Sequence, residues 1–167
     1  LVDTGEGTLG QLTRRYTRDY VEKGAFFDLL QCVFITHIHA DHHLGLIPLL
    51  EWRTRHNPSA NPLLVVGPKR LDKWLSSYYR HLPAQQRPAY RFMWASDYCS
   101  NPVANESLGF TRMTPCLVRH CHDAYGICME GLDWKVVISG DTRPCPDLIK
   151  LGANATLLVH EATFEDE

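Results

Sequence analysis

Four of the nine histidines in this 167-residue sequence fall in one stretch, Thr36-His37-Ile38-His39-Ala40-Asp41-His42-His43. Neutral imidazoles and carboxylates are borderline-hard ligands, suited to zinc or a similar first-row divalent ion. The stretch follows Cys32-Val33-Phe34-Ile35, a continuous β-favouring run of the kind buried on both faces of a sheet. Side chains of an extended segment alternate with period two, so His37 and His39 point the same way. Where the chain then turns into a helix, Asp41 and His42 face a second point nearby. One short loop is thereby able to serve two metals, each drawing further ligands from elsewhere. A histidine-rich solvated loop, or a few histidines capping the following helix, is the plain alternative, and it leaves the spacing unexplained.

A framework must hold that loop, and the composition allows one. A hydrophobic fraction of 44% with 22% charged residues belongs to a globular chain with a sizeable core, and the length suits a single domain, residues 1–167, or a piece of a larger one. No apolar run approaches the roughly 18 residues of a membrane-crossing helix, so no membrane partner is expected. The sequence opens at Leu1 on what reads as a strand end and stops at Glu165-Asp166-Glu167, so both ends are expected to be cut. With a formal charge of −2, any nucleic acid must be held by a local basic patch. The six cysteines include no C-x-x-C pair, which argues against a zinc ribbon; several lie in apolar stretches and read as buried thiols in a reducing compartment.

Periodicity supplies the elements. Leu9, Leu12, Tyr16 and Tyr20 recur at helical steps toward Gly24, and Leu44, Ile47 and Leu50 predict a helix that Pro48 delays or kinks. Leu71, Trp74, Leu75, Tyr78 and Leu82 follow helical spacing up to Pro83, and residues 146–151 form a short helix closed by Gly152. Strands are predicted near 63–66, 116–119, 125–129, 134–139 and 156–159, the last of them buried. Residues 84–112 yield little beyond a strand-like Tyr90 to Trp94. Mixed strands and helices with polar clusters at strand ends predict an α/β layered domain with its site along one sheet edge.

The H-x-H-x-D-H run at 37–42 resembles the metallo-β-lactamase superfamily, and further motifs follow in that family's order. Asp3 at the end of the opening strand looks like its first motif, a carboxylate that orients a ligating histidine. Arg119-His120-Cys121-His122-Asp123-Ala124-Tyr125-Gly126 resembles the third motif, with the ligand at His120 rather than His122. Ser139-Gly140-Asp141-Thr142-Arg143-Pro144-Cys145 resembles the fourth. With His160-Glu161-Ala162-Thr163 beyond it, the whole is most similar to tRNase Z, in particular to the catalytic C-terminal half of its long eukaryotic form.

That resemblance implies a metallo-β-lactamase fold, an αββα sandwich, incomplete at both ends. It implies two Zn2+ ions, with His37, His39 and His120 on one, Asp41 and His42 on the other, and Asp141 bridging. A further histidine is expected beyond residue 167. The implied reaction is removal of the 3′ trailer from precursor tRNA by metal-activated water, with Asp41 accepting a proton, His160 donating one to the leaving oxygen, and Glu161 orienting His160. Arg14, Arg15 and Arg18 on the first helix, with Lys69, Arg70 and Lys73 on the third, are candidate phosphate contacts. The N-terminal half of the same long-form protein is the expected partner, and the nucleus or the mitochondrion the expected location. A small-molecule hydrolase of the same fold and a non-catalytic RNA-binding scaffold are the alternatives.

Overall fold

Every residue of the strand Leu63–Gly67 is buried, which its Leu-Leu-Val-Val sequence suits and its place between two parallel neighbours demands. In the computed structural model, which describes residues 1–16, 27, 29–100, 103–105 and 109–163, that strand is central to the first of two units, Leu1–Trp94. The second unit spans Ala95–Glu167.

In the first unit, helix α1 (Thr8–Tyr16) precedes strand β1 (Cys32–Phe34), helix α2 (Ala40–His43), helix α3 (Leu46–His56), strand β2 (Leu63–Gly67), helix α4 (Lys69–Tyr79) and strand β3 (Tyr90–Trp94). A 3-10 turn at Ala84–Gln86 lies before β3. The three strands form a parallel sheet in the order β1-β2-β3, with Val33 opposite Val65 and Val65 opposite Phe92. Phe27, Val33, Ile35, Leu46, Leu49, Leu50, Leu71 and Leu75 close the core around it. Helix α3 starts at Leu46, two residues after the Leu44 that opens the predicted pattern, so Pro48 falls in the first turn, where its missing N–H would have had no intrahelical partner. Tyr20 and Gly24, expected to extend and end α1, lie outside the described residues, as does Arg18.

In the second unit, helix α5 (Ala95–Ser100) leads into strands β4 (Val103–Asn105), β5 (Phe110–Leu117), β6 (Tyr125–Glu130) and β7 (Lys135–Ile138), helix α6 (Pro146–Leu151) and strand β8 (Leu157–Val159). These strands form one sheet in the order β4-β5-β6-β7-β8, antiparallel except for the β7–β8 pair. Strand β5 starts at Phe110, six residues before the strand predicted near 116–119, and runs through Pro115. Pro115 pairs with Ile127 of β6, whereas β4 reaches only as far as Met113, so the amide it lacks is not missed on that side. Strand β8 also corrects an expectation. Leu157, Leu158 and Val159 are exposed rather than buried, on a strand that pairs with β7 alone among the described residues. Among the described residues no helix is long and apolar enough to cross a membrane.

Candidate metal centre

In the first unit the parallel sheet delivers β1 straight into the histidine loop. The loop is organised by Asp3, a non-glycine residue at φ 56°, a conformation that Asp tolerates better than most and that tends to mark functional positions. Its amide donates to the Phe34 carbonyl (2.8 Å), so the opening segment lies along the end of β1. Its carboxylate then accepts three bonds: from the Thr36 amide (2.8 Å), from the Thr36 hydroxyl (2.9 Å) and from His42 Nδ1 (2.8 Å).

A carboxylate can only accept, so these bonds fix protons. The Thr36 hydroxyl gives its hydrogen to Asp3 and must accept one from His37 Nδ1, 3.0 Å away. His37 therefore carries its proton on Nδ1 and presents a lone pair on Nε2. That Nε2 faces His39 Nδ1 at 2.9 Å. His42 is likewise protonated on Nδ1, and its Nε2 lies 3.5 Å from the Asp41 carboxylate. His37 is fully buried, whereas Asp41 is largely exposed.

The Asp3 segment reaches α2 through backbone contact. The Thr4 amide donates to the His42 carbonyl and the Gly45 amide to the Thr4 carbonyl, both at 2.8 Å. Neither Gly5 nor Gly45 has room for a side chain: a Cβ on Gly5 would strike the Asp41 carbonyl, and one on Gly45 would strike that of Gly5. His43, given no role by sequence, donates from Nδ1 to the His39 carbonyl (2.8 Å) and sets its ring edge against Trp74. Its spacing of four from His39 across the start of a helix was the available signal.

In the second unit His120 and Asp141 come together, Nε2 to Oδ2 at 3.8 Å. His122 turns to the neighbouring Asp123 at 3.3 Å and is mostly exposed. The turns carrying His120 and Asp141 are stitched by an Arg143 amide to Arg119 carbonyl bond of 2.8 Å. Gly140, at φ 58°, makes the turn out of β7, and Gly126 lets β6 pass within 2.9 Å of the Ser139 carbonyl at a would-be Cβ. His160 is exposed at the end of β8, with Nδ1 2.7 Å from the Glu161 main-chain carbonyl. The Glu161 carboxylate, expected on His160, instead accepts from the Thr142 amide. That bond is the first cause holding its carboxyl below the ordinary range; burial opposes it, and Thr163 and His160 add smaller lowering contributions.

The basic candidates are surface groups. Arg14, Arg15 and Arg70 are exposed, and the Lys69 ammonium sits 4.4 Å over the Trp94 ring, whose Nε1 donates to Asp72 at 2.8 Å. All six cysteines are free thiols, and burial pushes Cys32 and Cys116 up to about 11.

The donor chemistry in each unit fits zinc. In the first unit the lone pairs of His37 and His42 are fixed by the Asp3 carboxylate behind them, as ligating histidines require, and in the second an imidazole and a carboxylate lie side by side. The 2.9 Å approach of His37 Nε2 to His39 Nδ1 is close to the separation of about 3.3 Å that two nitrogens take on a tetrahedral zinc with bonds near 2.0 Å.

This architecture and these motifs define a class. The β-lactamase superfamily domain matches residues 1–167, and the chain belongs to that superfamily. Within it, the chain is 40% identical over 177 residues to the mitochondrial ribonuclease Z of Drosophila melanogaster, covering 100% of this chain and 23% of that protein. It is also 40% identical over 182 residues to the zinc phosphodiesterase ELAC protein 2 of Homo sapiens, covering 99% of this chain and 22% of that one. The crystal structure of a long-form RNase Z from yeast shares the fold, with a TM-score of 0.78 at 22% identity over 99% of this chain and 27% of that chain. The chain thus spans less than a quarter of the length of these two sequence relatives.

Proposed function

We propose that this chain is the metal-binding catalytic part of a zinc-dependent endoribonuclease that removes the 3′ trailer from precursor tRNA. The observation that carries this reading is a fixed-tautomer histidine loop, backed by Asp3, in a chain 40% identical along its whole length to a ribonuclease Z. By the family resemblance, His37, His39 and His120 would hold one zinc and Asp41 and His42 a second, with Asp141 as a carboxylate ligand shared by them. Bound there, zinc supplies charge stabilisation on the phosphodiester oxygens and a water acidic enough to be deprotonated near neutral pH. Asp41 accepts the proton of the attacking water, and its exposure leaves that proton a route to solvent. His160, with Nδ1 occupied by the Glu161 carbonyl, presents its other ring nitrogen to protonate the leaving ribose oxygen. The products are a tRNA with a 3′-hydroxyl and a trailer with a 5′-phosphate.

Arg14, Arg15, Arg18, Lys69 and Arg70 contact phosphates, with most of the grip coming from the remainder of a long-form chain. The name of the Drosophila relative supports use in mitochondria; use in the nucleus belongs to the same proposal. The test is cleavage of precursor tRNA beside a small chromogenic phosphodiester, with metal analysis of the purified protein. Trailer release that a chelator abolishes and zinc restores is the expected result. Activity on the small ester alone would point to a small-molecule hydrolase, and a protein that binds no zinc would be a scaffold.

A further inference from the structure

Thr142 follows Asp141 directly and is buried, although neither its hydroxyl nor its amide is needed by the sheet. Its hydroxyl accepts from the Arg119 amide (3.1 Å), one residue before His120, and donates to the Arg143 carbonyl (2.7 Å). Its amide donates to the Glu161 carboxylate. A second link runs parallel to this one: the Glu161 amide donates to Ser139 Oγ (3.0 Å), and that hydroxyl donates to the Gly140 carbonyl (2.6 Å). The loop bearing Asp141 is thus held from both sides, by the turn bearing His120 and by the loop bearing His160.

We propose that Thr142 and Glu161 form a positioning pair that fixes the Asp141 carboxylate against His120. Glu161 acts on the metal centre through Thr142 rather than on the proton donor. A carboxylate that is to hold a metal must keep its oxygens aimed within about 0.5 Å, and a ligand at the tip of a Gly-Asp turn has no such rigidity of its own. The charge-assisted bond from the Thr142 amide to Glu161 and the hydroxyl bridge from Thr142 to Arg119 supply it. This inference rests on the reading of His120 and Asp141 as metal ligands.

The test is zinc affinity of the full-length protein, measured by chelator competition, with the melting temperature of the metal-free form alongside. Thr142→Val, which keeps the amide and loses the hydroxyl, is expected to weaken zinc binding about 10- to 100-fold. Thr142→Ser restores it to within about threefold. Glu161→Ala behaves as Thr142→Val does, and Glu161→Gln, which keeps an acceptor oxygen, recovers most of the loss. Should Thr142→Val fail to fold, the Ala and Gln pair at Glu161 carries the test. Wild-type zinc affinity in Glu161→Ala, with the pH–rate profile displaced instead, would return Glu161 to His160 and overturn the proposal. Loss of zinc only in proportion to lost melting temperature would overturn it too. Asp141→Ala separates the premise: if that variant keeps its zinc, the ligand reading itself has failed.

Discussion

The Asp3 carboxylate accepts a hydrogen bond from His42 Nδ1 at 2.8 Å across 39 residues of sequence, and through Thr36 the same oxygen sets the proton of His37. One acidic residue thereby determines which nitrogen two histidines present. Asp3→Ala is expected to lower zinc affinity about 10- to 100-fold, because both rings lose the acceptor that fixes their orientation. Asp3→Asn should lie between the two, since an amide oxygen still accepts but carries no charge. Chelator competition measures both, and wild-type affinity in Asp3→Ala would show that the loop is held by other contacts.

The approach of Asp3 to His42 depends on two backbones touching at Gly5 and Gly45. A Cβ on Gly45 would run into the Gly5 carbonyl and lie 2.8 Å from that of Thr4, and backbone cannot step aside as a side-chain end can. Gly45→Ala is expected to destabilise by about 1–3 kcal/mol, the usual cost of overpacking. Gly10 is the internal control. It sits in α1, and a Cβ there would meet only the mobile end of Arg14 at 3.4 Å. Gly10→Ala should stabilise by about 0.5–1 kcal/mol. Opposite signs in two denaturation curves are the expected result.

Much of this was legible in the sequence, for reasons that differ from element to element. Strand β2 and the histidine loop were readable because burial on both faces and ligand chemistry leave local signatures. The start of β5 was not, since Pro115 is a local veto that only the extent of the β4 pairing lifts. The exposure of β8 was not legible either, because Leu157-Leu158-Val159 reads as buried from its composition and what covers its faces is not local information. The roles of Thr36 and Thr142 were out of reach for a related reason. A threonine beside a ligand looks ordinary until the partner from a distant loop is seen on its hydroxyl or its amide.

Glu161 links this geometry to pH. Its carboxyl lies below the value of 4.5 it has when unfolded, chiefly because the Thr142 amide donates to the ionised form. A depressed folded pKa contributes stability that is fully present above the unfolded value and is lost as pH falls through the folded one. The metal-free wild type should therefore be more stable than Glu161→Gln at neutral pH. That gap should close as pH falls below 4.5 and through the lowered folded value. Urea denaturation across this range measures it, and a gap that widens on acidification would contradict the assigned cause.

Asp141 tests the chemistry most directly. It stands 3.8 Å from His120, on a turn whose neighbours are held by backbone bonds that do not involve its carboxylate. Asp141→Asn therefore leaves the turn intact while removing the charge that would balance two cations. Cleavage of precursor tRNA is expected to fall by at least about 100-fold, because the attacking and leaving oxygens lose their paired stabilisation. Affinity for the tRNA should change by no more than about threefold, because phosphate contacts from basic side chains elsewhere dominate it. Gel-shift and single-turnover cleavage on one substrate separate the two effects. A variant that still cuts at the wild-type rate would remove Asp141 from the metal centre.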